Sequence, residues 1–349
     1  MNPGKLNLYT EKEILPSINS HTFLLLPFYG NYFSDNLDPD YGRFDEYVNN
    51  AESIFNITQI PEKADYFLLP FGYTDNSSDN LIMNAFIEKG KSFGKKTIIF
   101  FNSDEDFPIH LNDVIIFRTS FNKSNGQSST YALPGWSKDF LNYFPNKKFD
   151  TLKPETKPTV SYCGYIDFEN LNWLMNIRLF LSRNSPDIET KSKARRGKAC
   201  RKLRSNDNII CNFIIRNGFW AQGINDKLSA RTEYAHNIID SLYGLAIRGA
   251  GNFSYRLFEI LSAGRIPLFV NTDCALPYES LIDWKKHVVW VEENEISKID
   301  KILIDFHKSK SFEELNEIQR NNRKLYEQFL SPLGFYSQLG GFLKLQNEH

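Results

Sequence analysis

Two arginines, a glycine loop and a glutamate stand close together in the stretch 243–270, and their types suit an anionic ligand. Arg248 leads into Gly249-Ala-Gly251-Asn252, Ser254 follows, and Arg256 and Glu259 lie just beyond. The apolar residues 243–247 read as a strand. Leu257, Phe258 and Leu261 then give a helix over 254–263 one buried face. Ser254 is a favourable N-cap, and Gly264 is placed to end the helix in a left-handed conformation. Glycine at 249 and 251 permits positive φ and a close approach of backbone to ligand. A helix start fed by such a loop presents free N–H groups and the positive end of the macrodipole to an anion. Arg248 and Arg256 flank it, and guanidinium groups suit bidentate contact with phosphate oxygens. Glu259 follows Arg256 at i+3 and projects from nearly the same side, where it suits hydrogen bonds from ribose or sugar hydroxyls. A Gly-rich turn between strand and helix also serves packing alone, and that reading stands beside the first. The dinucleotide fingerprint fails, since Ser254 replaces its third glycine, and there is no GxxxxGK[ST] loop.

These residues need a scaffold, and the chain alternates short apolar runs with helical patterns, the mark of βαβ units around parallel sheets. In the first half, runs at 23–28, 64–70, 97–101 and 114–117 predict strands, with helices near 44–54 and 80–93. The segment 146–158 is polar, holds two prolines and has no periodicity, which is linker chemistry. A second series follows, with strands at 159–163, 208–215, 243–247, 266–270 and 287–291. Helices are expected at 170–181, 194–203, 229–241, 254–263, 296–307 and 312–329. The organisation expected is a Rossmann-like domain over 1–150, a linker over 151–158, a second Rossmann-like domain over 159–310 and a helical segment over 311–349 that packs back on the first domain. Two such α/β halves imply a cleft between them, with ligands beyond the carboxyl ends of strands.

Composition bounds the function. The chain has 349 residues, 41% hydrophobic and 15% aromatic, enough for real cores. Its 41 Lys+Arg balance 42 Asp+Glu for a net charge of −1, which argues against a nucleic-acid binder. Four separated cysteines give neither a disulfide framework nor zinc spacing, and the six histidines form no metal motif. No run reaches the roughly 20 apolar residues that span a bilayer. The polar start, with Glu11, Lys12 and Glu13, does not read as a signal peptide. A cytoplasmic protein without metal or cofactor is the expectation.

The block Arg248-Gly-Ala-Gly-Asn-Phe-Ser-Tyr-Arg-Leu-Phe-Glu-Ile-Leu-Ser-Ala-Gly-Arg-Ile-Pro-Leu-Phe-Val270 resembles the signature of exostosin-type glycosyltransferases. Leu276-Pro277-Tyr278 and Asp283-Trp284 are similar to its continuation, 64–70 to its upstream strand, and Val160-Ser161-Tyr162-Cys163-Gly164 to its second-domain opening. The resemblance implies a GT-B fold, two Rossmann-like domains facing across a cleft. It also implies inverting, metal-independent transfer from a nucleotide sugar, of the UDP-sugar class, to an oligosaccharide or lipid-linked glycan acceptor, in synthesis of a cell-surface, capsule, O-antigen or viral polysaccharide. Arg248, Gly249, Gly251, Asn252, Ser254, Arg256 and Glu259 would then hold the donor. The basic run 191–204, KSKARRGKACRKLR, either is a solvated helix face, or sends Arg196 or Arg204 to the diphosphate, or touches an anionic membrane. Arg216, with Phe219 and Trp220, stands at another strand end where a nucleotide base could be framed. The general base is sought in the first half, at Asp35 or Asp75. Asp104-Glu-Asp106 resembles the DxD metal motif of the other large glycosyltransferase fold, the runner-up. A nucleotide- or glycan-binding protein without catalysis is the further alternative.

Overall fold

The computed structural model of the chain describes residues 5–17, 20–34, 38–125, 128–166, 188–216, 218 and 226–347. Asp35, the helix expected at 170–181, and Phe219 and Trp220 lie outside the described residues. The chain divides into two compact units. One comprises Met1–Trp136, Cys274–Leu281 and Glu327–His349, the other Ser137–Asp273 and Ile282–Tyr326. Each is an α/β structure around one parallel sheet, as the GT-B expectation requires of both halves.

The first unit holds six strands: β1 (Leu6–Tyr9), β2 (Phe55–Thr58), β3 (Tyr66–Leu68), β4 (Thr97–Phe101), β5 (Val114–Arg118) and β6 (Thr130–Ala132). Their order is β2-β1-β3-β4-β5-β6, with every pair parallel. β4 and β5 are buried along their whole length, which is why they read as unbroken apolar runs. The helix Ser77–Ser92 is capped by Asn76, whose side chain accepts from the Ser78 N–H, and it buries Met83, Phe86 and Ile87. The helix Pro332–Asn347 buries Phe335, Tyr336, Leu339, Phe342 and Leu343. Tyr336 packs against Tyr47 with ring centroids 4.4 Å apart and the planes tilted by 35°.

Residues 23–28 are not a strand. They form a 3-10 turn, Phe23–Leu25, and a helical turn, Leu26–Tyr29, with Pro27 in its first positions. Leu24, Leu25 and Leu26 are buried there, and a short apolar run buried all round has no period that separates strand from helix. The first strand is instead Leu6–Tyr9, whose Asn7 side chain donates to Asp65 and accepts from Asn56.

The second unit holds β7 (Thr159–Tyr165), β8 (Ile210–Arg216), β9 (Tyr243–Ala246), β10 (Ile266–Asn271) and β11 (Val289–Glu292). The order is β11-β10-β9-β7-β8, again all parallel. Val160, Leu245, Leu268, Val270, Val289 and Val291 form its core with residues of the covering helices. The helix Lys227–Ile239 packs on β7 and β8, and the helix Tyr255–Ser262 packs on β9 and β10. Gly244 on β9 lets the latter approach: a Cβ there would lie 2.5 Å from Ile260 Cδ1.

The boundary between units falls at Trp136, not near residue 150, and 146–158 is not a free linker. Arg265 donates to the Asp150 carbonyl at 3.1 Å, and Gln319 pairs with both the N–H and the C=O of Leu152 at 2.8 and 2.9 Å. His307 hydrogen-bonds the Glu155 carbonyl at 2.9 Å. These partners come from far along the chain, so local composition carried no trace of them. The carboxy-terminal segment is itself divided: the helix Phe312–Leu325 belongs to the second unit and Pro332–Asn347 to the first.

Candidate functional site

In the second unit the chain leaves β7 for β8 on one side, then returns to β9 on the other. Loops at the carboxyl ends of β7 and β9 therefore diverge and open a crevice, the place where doubly wound sheets bind ligands. Arg248 and the loop 249–254 leave β9 at this point.

The loop is held from within. Arg248 is 8% exposed and its Nη2 donates to the Ala250 carbonyl at 3.1 Å. The Gly249 N–H donates to the Phe253 carbonyl at 3.1 Å. Asn252 is buried and its Oδ1 accepts from Thr272 Oγ1 at 2.8 Å, tying the loop to the end of β10. Gly249 and Gly251 do not use the positive φ that glycine permits. A Cβ at 249 would meet nothing within 4 Å among the described residues, so none of them demands glycine there. Ser254 occupies the N-cap position, but its hydroxyl makes no capping bond. Gly264 does end the helix: its φ is 63°, its N–H donates to Leu261, and the Arg265 N–H donates to Ile260, which is the Schellman arrangement.

Glu259 is 5% exposed and carries a dense hydrogen-bond load. Its Oε1 accepts from Arg231 Nη1 at 2.9 Å and Ser137 Oγ at 2.8 Å, and its Oε2 accepts from the Tyr234 hydroxyl. Burial alone would push this carboxyl up, but the Arg231 charge and the three donors outweigh it and hold it below its usual range. Three of about four acceptor positions are thereby used within the chain, and the carboxylate positions Arg231 and Tyr234. Arg231 is equally buried and lies over the rings of Phe140 and Tyr234, at 5.4 and 5.2 Å. Removing either charge would strand the other in a dry setting.

Arg256 lies against the Tyr234 ring as well, 5.5 Å from its centroid, and against that of Tyr162 at 4.5 Å. Its Nη2 donates to the Cys163 carbonyl at the end of β7, and its Nε is buried without a hydrogen-bond partner. Burial works against the cation, yet Tyr234, Tyr162 and Glu259 raise its pKa further above its ordinary value. A Cβ on Gly164 would lie 3.2 Å from Nη2, so the guanidinium rests directly on the strand end. The arrangement is a fixed, aromatic-walled cation at the switch point, able to take an anion.

The other predicted residues are placed as follows. Arg216 ends β8 beside this site; the Cys163 thiol lies against it, and it is ion-paired with Glu233. Arg196 lies on the helix Ile188–Arg204 and acts electrostatically on Tyr162. Arg204 ends that helix, exposed, with its field on Cys200 and Cys211. Cys211 is at the amino end of β8, so Arg204 stands at the wrong end of the sheet for the crevice. Part of the basic run is spent on structure, in ion pairs of Arg195 with Glu293 and of Lys202 with Asp300. Asp75 is exposed in the first unit and accepts from the Tyr73 hydroxyl at 2.6 Å. The Asp104–Asp106 loop is gripped through its backbone by the fully buried Arg118, which donates to the carbonyls of Glu105 and Phe107. Among the described residues no three acidic, His or Cys side chains gather as a metal cluster, and no helix is long and apolar enough to cross a membrane.

Sequence reasoning passed over Arg231, Tyr234, Ser137 and Glu233. Arg231 and Tyr234 share a helix face at i, i+3, a weak signal that was available; Ser137 reaches Glu259 from across the fold and left none.

The Exostosin GT47 domain model matches residues 178–306. The chain is 26% identical to Exostosin-1 of Drosophila melanogaster over 155 residues, which are 44% of this chain and 18% of that protein. It is 28% identical to the Exostosin-1 homolog of Caenorhabditis elegans over 103 residues, 30% of this chain and 26% of that one. The chain thus spans a small part of the length of these relatives. Among solved structures, a glycosyltransferase from Rickettsia africae aligns with a TM-score of 0.42 and 10% identity, over 99% of this chain and 98% of that one. WaaG, a glycosyltransferase involved in lipopolysaccharide biosynthesis, aligns at 0.36 and 11%, over 96% and 99%.

Proposed function

We propose that the chain, which resembles the exostosin-type glycosyltransferases over residues 178–306, moves a sugar from a nucleoside diphosphate donor, of the UDP-sugar class, to a glycan acceptor. The observation that carries this reading is the Arg256 guanidinium held at the switch point between Tyr162 and Tyr234. In the proposed inverting transfer the acceptor oxygen bonds to the sugar's anomeric carbon as the bond to the diphosphate breaks. Charge then grows on the departing diphosphate, and pre-set cations and N–H groups at that point lower the barrier. Arg256, Arg216 and the start of the helix Tyr255–Ser262 have that role, Arg196 adds positive field, and Glu259 keeps Arg231 and Tyr234 in place. The acceptor's proton goes to a first-unit carboxylate, for which Asp75 is the described candidate.

The donor-side reading uses guanidinium groups and helix N–H groups for the diphosphate charge, and the transfer is proposed as metal-independent. The acceptor is proposed as an oligosaccharide or lipid-linked glycan of a cell-surface, capsule, O-antigen or viral polysaccharide, and the setting as cytoplasmic. The exposed Lys198 and Arg201 of the helix Ile188–Arg204 suit an anionic membrane surface. The test is release of nucleoside diphosphate from a panel of sugar donors, with and without glycan acceptors, run on the wild-type chain and on Arg256→Gln. Acceptor-dependent release that falls about a hundredfold or more in the variant is expected; no release from any donor would overturn the reading.

A further inference from the structure

The ion pair of Arg216 with Glu233 has a place in the site that the donor reading leaves unused. Arg216 is the last residue of β8 and pairs in register with Tyr165 at the end of β7. Cys163, two residues earlier on β7, is flanked by both arginines: its carbonyl accepts from Arg256, and its thiol lies against Arg216. Two guanidinium groups therefore bracket one strand end. One is caged by rings and has a buried Nε with no hydrogen-bond partner. The other is held by a carboxylate.

The holder is poorly fixed. Arg216 is 19% exposed at its side chain, but Glu233 is 51% exposed, so the carboxylate returns to water at little cost. Its helix is not free to move with it. Arg231 and Tyr234, on either side of Glu233 in the helix Lys227–Ile239, are anchored on the buried Glu259. Only the Glu233 side chain need swing for Arg216 to be released toward Cys163.

We propose that Glu233 is a resident counter-anion that occupies Arg216 until a diphosphate displaces it, which makes it a specificity-determining residue of the donor site. A doubly charged diphosphate engages Arg256 and also replaces the carboxylate on Arg216; a weaker anion engages Arg256 alone. The carboxylate thus competes with every anion and is outcompeted by the one with enough charge and reach. The inference rests on the donor-site reading above.

The test is isothermal titration of the whole chain with UDP and, separately, with inorganic pyrophosphate. Glu233→Gln is expected to bind both about two- to fivefold more tightly than wild type, the range of an exposed ion pair. In an Arg216→Gln background the same substitution is expected to change nothing. Equal tightening in both backgrounds would mean a general charge effect and overturn the proposal, as would no tightening with Arg216 present. Glu233→Asp keeps the charge and shortens the reach, so it serves if the Arg216 variant does not fold: tightening supports displacement, and unchanged affinity overturns it. Binding of pyrophosphate but not UDP by wild type would count against the nucleotide-sugar reading while leaving the Glu233 test intact. Binding of neither would remove both.

Discussion

At the scale of single residues, the site is governed by who satisfies whom. Glu259 looked like a ligand-facing acid because it follows Arg256 on one helix face. In the fold it is buried and accepts from Arg231, Tyr234 and Ser137, so it anchors those side chains. Glu259→Gln removes the charge that balances a buried Arg231. It is expected to cost roughly 3 kcal/mol in urea unfolding and about a hundredfold in transfer, with the fold retained. The acid limb gives a second measure. The folded carboxyl titrates below its unfolded value of about 4.5, so its stabilisation is complete above that pH and lost as acid carries it through the lower folded value. The stability difference between wild type and Glu259→Gln should therefore be constant near neutrality and shrink below about pH 4.5. A difference that grows with acid would refute the assignment.

At the scale of elements, the helix Tyr255–Ser262 shows which local rules held. Its buried face and its glycine stop followed from spacing alone. Gly264→Ala must place a Cβ 2.3 Å from the Phe149 ring at a φ of 63°, and the two strains together are expected to cost roughly 2–4 kcal/mol, seen as a lower thermal midpoint. Ser254 did not behave as a cap. Ser254→Ala is thus expected to leave stability within about 0.5 kcal/mol, against ~1 for a working cap, so a drop in UDP affinity without a drop in stability would show that the hydroxyl meets the ligand. The strands β7 to β11 were legible because each is a short run rich in apolar and β-branched or aromatic residues bounded by polar or turn residues. β1, β2 and β6 were not, because they are three or four residues long and carry Asn7, Asn56 and Thr130, and short strands of that kind are defined by their neighbours in the sheet.

At the scale of the whole molecule, every described donor-side residue lies in one unit and the described base candidate in the other. That separation predicts separable effects: Asp75→Asn should slow acceptor-dependent turnover by tenfold or more while UDP affinity by calorimetry stays at the wild-type value. Loss of UDP binding in that variant would mean that the carboxylate belongs to the donor site. By itself the sequence determined the α/β class, the five strands of the second unit, and Arg256 with its glycine-bounded helix, because periodicity, turn residues and helix stops are written within a few neighbouring positions. Only the tertiary structure decided that the first unit's leading segment stops at Trp136 while 274–281 and 327–349 return to it, that Arg204 stands at the far end of the sheet, that Ser137 and Arg231 hold Glu259, and that Glu233 occupies Arg216. Those outcomes depend on pairing between residues distant in the chain, where burial removes water and makes each unsatisfied charge or donor find a partner.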